Sequence, residues 1–195
     1  MKFTASVLLR AITLFILLEC MGRVERAAGA SIGLFSTPDC SSCNLTIPSG
    51  ESRNVYIHVV TTDLGYAVIG AEFKVVGLPP GWLVSTIPNP ASSIVIGDPF
   101  GSVGTNIGFG TGQPGPCVNL FVATITATSQ ETQLAFQVTM KTPPSTQPCP
   151  LVVVDCPGCS TGICVSGGAL LVNSSSDCSV AVQEGTWSGA KKTYR

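Results

Sequence analysis

The distribution of cysteine limits the folds open to this chain more than any other property of its sequence. Nine cysteines occur in 195 residues, and one of them, Cys20, falls in the N-terminal leader described below. The other eight are Cys40, Cys43, Cys117, Cys149, Cys156, Cys159, Cys164 and Cys178. Eight cysteines in an exported chain predict up to four disulfide bonds, among about 105 formal pairings that the sequence leaves open. They make up roughly 5% of the chain after the leader, less than the ~8–10% of scaffolds built on disulfides alone, so we expect a hydrophobic core as well.

The N-terminus has the pattern of a secretory signal peptide. Lys2 and Arg10 supply a basic start, and an apolar run follows over residues 11–18, well short of the ~20 residues that cross a bilayer. Small residues at 28–30 predict cleavage between Ala30 and Ser31. We therefore expect a signal peptide over 1–30, a domain over 31–185 and a tail over 186–195, with an uncleaved anchor as the alternative. This predicts a secreted, periplasmic or cell-surface protein.

The charge of the mature chain excludes one class of partner. After cleavage six Lys and Arg remain against nine Asp and Glu, a net charge of about −3. A phosphate backbone needs clustered basic side chains, so nucleic acid is not expected as a partner. No later stretch is apolar for long enough to span a membrane, and no stable membrane span is expected after processing.

Alternating hydrophobicity predicts strands along most of the mature chain. Over 132–141, Phe136 and Val138 alternate with polar residues, which indicates a strand with one buried face. A second run over 117–128 is rich in β-branched residues, and the short connection at 129–131 predicts a hairpin between the two. Shorter predicted strands are Ile32 to Ser36, Leu45 to Ile47, Arg53 to Thr62, Ala71 to Val76, Trp82 to Ile87, Ser93 to Ile96, Val103 to Phe109, Leu151 to Val154, Ile163 to Ser166 and Ala169 to Asn173.

Strands at roughly ten-residue intervals are typical of a sandwich, so we predict an all-β, antiparallel, disulfide-bonded β-sandwich. The last ten residues differ, because Thr186 can cap a short helix with Trp187 and Tyr194 on one face. Ten residues are marginal as a free helix, so these two aromatics are expected to dock on the domain or to contact a partner.

Two Cys-x-x-Cys elements are the sharpest chemical motifs. Cys156 and Cys159 resemble a redox motif, but no helix is predicted after them to stabilise a thiolate. A zinc site built from both elements would join the two ends of the domain, whereas zinc ribbons bring such pairs within about 15–20 residues. Structural disulfides are the preferred interpretation, with no metal site and no cofactor expected.

The remaining motifs indicate no catalytic residue. His58, the only histidine, shares a strand face with Asn54 and Tyr56, so we expect it to point to solvent. The carboxylates are few and scattered, and a glycosidase would need two of them facing across a cleft. The glycine-rich region 101–115 contains a G-x-G-x-x-G match that is expected to be a loop and to contribute to binding. Asn44 and Asn173 begin two glycosylation sequons.

Several short segments of the sequence resemble those of known proteins. They are Ile32-Gly33-Leu34-Phe35, Gly77-Leu78-Pro79-Pro80-Gly81-Trp82, Gly97-Asp98-Pro99-Phe100-Gly101 and Cys149-Pro150-Leu151. Together they resemble an uncharacterised group of exported bacterial β-proteins, which implies no known active residue. The run Gly70-Ala71-Glu72-Phe73-Lys74-Val75 is similar to cohesin-like sandwich modules of bacterial surface assemblies. The resemblance implies a cohesin-like or Ig-like sandwich.

The sequence therefore predicts a non-catalytic secreted or cell-surface binding or structural module with a protein or glycan partner. The glycine-rich region and the Trp187 and Tyr194 tail are the expected contact surfaces. The alternative is a secreted enzyme, either a hydrolase that uses carboxylates or a thiol-disulfide oxidoreductase that uses Cys156 and Cys159.

Overall fold

Every regular element in the described part of the chain is a strand, as the alternating sequence predicts. The computed structural model describes residues 30–61, 67–145, 149, 151–155, 162–176 and 178. The strands are β1 (Ala30–Phe35), β2 (Asn44–Leu45), β3 (Ser52–Thr61), β4 (Val68–Val76), β5 (Leu83–Pro88), β6 (Ser92–Asp98), β7 (Gly104–Gln113), β8 (Cys117–Thr126), β9 (Leu134–Thr139), β10 (Val152–Val154), β11 (Ile163–Cys164), β12 (Ser166–Gly167) and β13 (Ala169–Val172). The predicted helical tail at 186–195, with Trp187 and Tyr194, lies outside the described residues.

The strands form two packed sheets. The first has five strands in the order β12-β1-β3-β8-β5. The second has eight, in the order β11-β10-β4-β9-β13-β2, and β7 pairs with β4 and carries β6 beyond it. The predicted purely antiparallel sandwich is corrected in one respect, because β1 pairs with β12, and β13 with β2, in parallel. These parallel partners are two-residue strands that return from distant parts of the sequence, so no local turn determines their direction.

The predicted hairpin between β8 and β9 does not form. β8 pairs with β3 and β5 in the first sheet, whereas β9 pairs with β4 and β13 in the second. The connection over 129–131 therefore crosses from one sheet to the other. Both strands contribute buried apolar side chains to the one core between the sheets, each from its own sheet.

The core lies between the sheets and follows the period-two pattern of the strands. In β9, Phe136 and Val138 are buried while Ala135 and Gln137 are exposed, as the alternation predicts. Phe73 on β4 meets Phe121 on β8 edge to face, with ring centroids 6.0 Å apart. Aromatic pairs of this kind stabilise the packing by about 0.5–1.5 kcal/mol beyond the area that they bury.

Three disulfide bonds confirm the prediction of a disulfide-bonded domain. They join Cys40 to Cys117, Cys43 to Cys178 and Cys149 to Cys164. The first Cys-x-x-Cys element is thus divided between two distant partners. Cys156 and Cys159, the second element, lie outside the described residues.

In the glycine-rich region 101–115, the predicted strand Val103 to Phe109 is confirmed, but it continues into the G-x-G-x-x-G match at 110–115, which was expected to be a loop. β7 runs from Gly104 to Gln113 and pairs with both β4 and β6. Glycine is tolerated there because side chains of the neighbouring strands fill its place: a Cβ added to Gly108 would lie 2.8 Å from Cγ2 of Ile94. Within the described residues, no helix has the length and apolar character needed to cross a membrane.

Asn173, one of the two sequon asparagines, ties together three parts of the domain. Its Oδ1 accepts a hydrogen bond from the Ile47 N–H at 2.8 Å, and its Nδ2 donates to the carbonyls of Ile47 and Glu131 at 3.0 and 2.9 Å. Both hydrogens of the amide are thereby used. Its φ of 52° lies in the left-handed region, which asparagine adopts more readily than other non-glycine residues.

We expect Asn173→Ala to lower the free energy of unfolding by about 2–4 kcal/mol, because it removes three hydrogen bonds and places alanine at positive φ. Asn44→Ala is the matched control: the buried Oδ1 of Asn44 has no hydrogen-bond partner, and the expected change is within about 1 kcal/mol. Urea unfolding followed by tryptophan fluorescence measures both. Equal effects of the two substitutions would contradict this assignment.

Candidate functional site

Two consecutive edge strands expose most of the large apolar side chains in the described part of the chain. Seven such residues are exposed there, and five lie on β5 and β6: Leu83, Ile87, Ile94, Val95 and Ile96. We call this set the apolar edge. β5 ends the first sheet and β6 ends a branch of the second, and the two are in contact through the short connection over 89–91, so they border the same side of the sandwich.

Strand periodicity places four of the five side chains of the apolar edge on outward faces, and Val95 alone lies on the other face of β6. In β5, Leu83 and Ile87 are 63% and 65% exposed and alternate with half-buried Val84 and Thr86. In β6, Ile94 and Ile96 stand opposite Gly108 and Asn106 of β7, which face outward because the intervening Ile107 is buried. Ile94 lies over Gly108 and is still 54% exposed. The result is an aliphatic surface that no described residue covers.

The backbone of β6 is also available. β6 pairs only with β7, and within the described residues no strand pairs with its outer side. Natural proteins usually protect such edges with lysine, proline or a bulge that turns the edge away. β6 reads Ser-Ser-Ile-Val-Ile-Gly-Asp, with its single charge at the last position. Its register with β7 shifts between Ser92 and Ile94, and from Ile94 to Asp98 the pairing is regular. An extended peptide can add to such an edge through main-chain hydrogen bonds.

A second cluster forms around His58 and corrects the expectation that this side chain points to solvent. His58 does lie on the face opposite Val55, Ile57 and Val59, but it is only 2% exposed. Its Nδ1 is 3.2 Å from Sγ of Cys117, and its Nε2 is buried without a hydrogen-bond partner. The ring therefore lies in a mostly apolar cavity, although its strand face was predicted to be polar.

Two features of the chain bury His58. The segment 36–43 after β1 lies over this face because Cys40 is bonded to Cys117, which is on β8 next to β3. Phe35 at the end of β1 meets the imidazole edge to face, with ring centroids 5.9 Å apart. Burial by these groups lowers the pKa of His58 from 6.5 to about 4, so the ring is neutral at neutral pH.

Cys40, His58 and Cys117 are the three side chains in the described residues that could hold a metal ion. Their ligand atoms lie within 4.8 Å of one another. They come from positions 40, 58 and 117, so no local spacing could reveal the cluster in the sequence. The expectation of no metal site was based on the two Cys-x-x-Cys elements and did not consider this combination.

Five of the six described carboxylates are occupied in structural interactions. Glu51 pairs with Arg53; Glu72 accepts from the Ser145 N–H at 2.7 Å and lies 3.9 Å from Lys141; Asp98 accepts from the Phe100 N–H at 2.9 Å; Glu131 accepts from Ser129 Oγ at 3.1 Å. Asp39 accepts from Ser41 Oγ at 2.7 Å, and this bond, with smaller ones from Thr37 and the Ser41 N–H, lowers its pKa from 3.8 to about 2. These five acids stabilise turns and loops.

Comparison with known proteins identifies the fold. No protein-family model matches the chain, and no curated protein sequence does either. Among solved structures, the cohesin module of a family 33 glycoside hydrolase from Clostridium perfringens ATCC13124 is similar over 75% of this chain and 98% of the module, with a TM-score of 0.50 and 8% identity. A type III cohesin module of the ScaE cell-surface anchoring scaffoldin of Ruminococcus flavefaciens has a TM-score of 0.47 and 10% identity over 78% of this chain and 92% of the module.

The sixth cohesin of scaffoldin B from Acetivibrio cellulolyticus, solved in complex with a Cel5 dockerin, has a TM-score of 0.47 and 13% identity, over 75% of this chain and 99% of that module. The similarity to the Clostridium perfringens module confirms the cohesin-like β-sandwich that the sequence resemblance implied. At such low identity it concerns the fold alone.

The burial of His58 predicts a specific loss of stability in acid. The folded-state pKa of about 4 is below the ordinary value of 6.5, so the unfolded chain binds the proton more readily between these values. The contribution of neutral His58 to the free energy of unfolding is complete above pH 6.5. It is lost as the pH falls towards 4, by about 3 kcal/mol in all. The difference in free energy of unfolding between wild type and His58→Gln, measured by urea unfolding across this pH range, gives the contribution of His58, since the chain has no other histidine. Parallel pH curves for the two proteins would contradict the prediction.

Proposed function

We propose that the mature chain is an exported, non-catalytic binding module that recognises a protein partner through the apolar edge. The observation that carries this proposal is the concentration of exposed aliphatic side chains on β5 and β6. Large exposed apolar patches are uncommon on monomeric proteins and typically mark interaction surfaces. Burial of one isoleucine side chain contributes about 1.5–3 kcal/mol, which offsets part of the free energy that association costs, and main-chain pairing along β6 would add to it.

Strand addition to β6 is the mode of binding that the edge favours. An extended segment of the partner would pair with the free main chain of β6 and place alternate side chains against Ile94 and Ile96. Main-chain pairing supplies affinity, and the aliphatic contacts supply specificity. The fold is compatible with such a role but does not establish it, because one fold hosts many functions.

A protein is a better partner than a glycan on this surface. The exposed large side chains of β5 and β6 are all aliphatic and offer no hydrogen bonds to sugar hydroxyls. Aliphatic side chains with free strand backbone match the apolar centre of a protein interface. The glycine-rich region contributes through β7, which supports β6, and a contact by Trp187 and Tyr194 stays a separate proposal.

Export is part of the proposal. We propose cleavage between Ala30 and Ser31, a domain over 31–185 and a location outside the cytoplasm. Three disulfide bonds support that location, because disulfides persist in oxidising compartments. Occupation of five described carboxylates in structural contacts favours a binding module over a hydrolase. The oxidoreductase alternative requires Cys156 and Cys159 to exchange electrons readily.

Charge on the apolar edge is expected to abolish binding without unfolding the domain. The mature protein is used to capture partners from the medium and surface fraction of the organism that carries the gene, and the captured protein is then produced pure. Ile94→Asp/Ile96→Asp is expected to weaken its affinity at least thirtyfold, or about 2 kcal/mol, because both aspartates must be desolvated on binding. Titration calorimetry measures the affinity.

Met140→Asp is the matched control. Met140 is an exposed apolar residue that follows β9, three strands from β6, and its substitution should leave the affinity unchanged within about twofold. Equal affinity of wild type and the β6 variant would refute the proposed surface. Loss of binding in the Met140 variant alone would place the interface elsewhere.

A further inference from the structure

The cluster of Cys40, His58 and Cys117 brings together the ligand types that thiophilic metal ions prefer. Imidazole nitrogen and cysteine sulfur are the common ligands of Zn²⁺ and other d¹⁰ ions. In the oxidised protein the two sulfurs are bonded to each other, and thiolate, the form that binds metal, is absent. Oxidation therefore prevents these side chains from binding a metal ion together.

We propose that reduction of the Cys40–Cys117 disulfide by a dithiol creates a Zn²⁺ site formed by the two thiolates and Nδ1 of His58. The dithiol gives two electrons and two protons to the disulfide and becomes a disulfide itself, which leaves two thiols on this protein. Zn²⁺ then displaces the two thiol protons, which pass to solvent. The two thiolate charges balance the charge of the ion, so the site is neutral and can be accommodated at a half-buried position.

His58 is prepared to act as a ligand. Nδ1 faces Cys117 at 3.2 Å, so Nε2 carries the ring proton in the metal-bound form. Asn119 is opposite His58 in the pairing of β3 with β8, and its Oδ1 is also buried without a partner. The two atoms are not hydrogen-bonded to each other in the oxidised protein. In the metal-bound form we expect this oxygen to accept from Nε2–H, the second interaction that metal-ligating histidines usually make.

The local backbone allows the change of state. His58 and Cys117 are held on paired strands, at a point where the register of β3 and β8 shifts, whereas Cys40 is in the segment between β1 and β2. Cys40 can therefore move away from Cys117 to admit the ion. The segment stays attached through the hydrogen bond from the Ser36 N–H to the Ser42 carbonyl at 2.8 Å, which reduction does not remove.

The protein carries its own internal control. Cys149 and Cys164 form a disulfide on β11 and the segment before β10, and His58, the only histidine of the chain, is committed to the other cluster. On reduction this pair supplies two thiols without an imidazole. If Zn²⁺ binding requires His58, the ion will therefore bind Cys40 and Cys117 and leave Cys149 and Cys164 free.

The test measures thiol protection residue by residue. The mature protein is reduced with dithiothreitol under native conditions, freed of reductant without oxygen, and alkylated with or without one equivalent of Zn²⁺. Mass spectrometry of the peptides is expected to show that Zn²⁺ slows alkylation of Cys40 and Cys117 by about tenfold or more, with no effect on Cys149 and Cys164. In His58→Ala this protection is expected to be lost.

A second measurement does not depend on a variant that folds. NMR of the single histidine is expected to show a shift of the His58 Nδ1 resonance when Zn²⁺ is added to reduced wild type, and none when it is added to the oxidised protein. Unchanged alkylation rates, protection that persists in His58→Ala, an unshifted resonance, or resistance of Cys40–Cys117 to dithiothreitol would each overturn the proposal.

Discussion

The Cys40–Cys117 bond determines the environment of the first sheet's outer face. It closes a loop with a sequence separation of 77, and Cys43–Cys178 closes one of 135. In the chain-entropy model each bond of this span destabilises the unfolded state by about 4–5 kcal/mol. With the segment after β1 fixed across β3 and β8, His58 is removed from water, and a strand face that would otherwise be polar acquires a buried imidazole. The proposed binding of Zn²⁺ after reduction and the loss of stability in acid both depend on this disulfide bond.

The apolar edge has no comparable cover among the residues that the structure describes. Among the described residues the apolar edge remains open, because β5 and β6 are the terminal strands of their sheets. The same fold thus has a face closed by cross-links and an edge left available for another chain. A partner bound at β6 would contact aliphatic side chains and free backbone together, as strand addition requires.

Local patterns in the sequence were enough to predict the strands, and each predicted strand overlaps an observed one. Burial of Phe136 was predictable because period-two alternation is local. Long-range pairings were not predictable: the connection after β8 crosses between sheets, and the cysteine pairs join distant positions. His58 shows the physical reason most clearly. Its strand face was predicted correctly, but its burial depends on Cys40, eighteen positions earlier, and on Cys117 far beyond it. The apolar edge was missed because apolar residues on both faces of a strand do not reveal which strand ends a sheet.

Disulfide mapping of the unreduced mature protein tests the central claim most directly. Digestion at acidic pH, where disulfide exchange is slow, followed by mass spectrometry should give one peptide pair that joins Cys40 to Cys117 and another that joins Cys43 to Cys178. A bond between Cys40 and Cys43 would leave Cys117 and the segment after β1 unconnected. That result would contradict the account of how His58 is buried and of the cluster built around it.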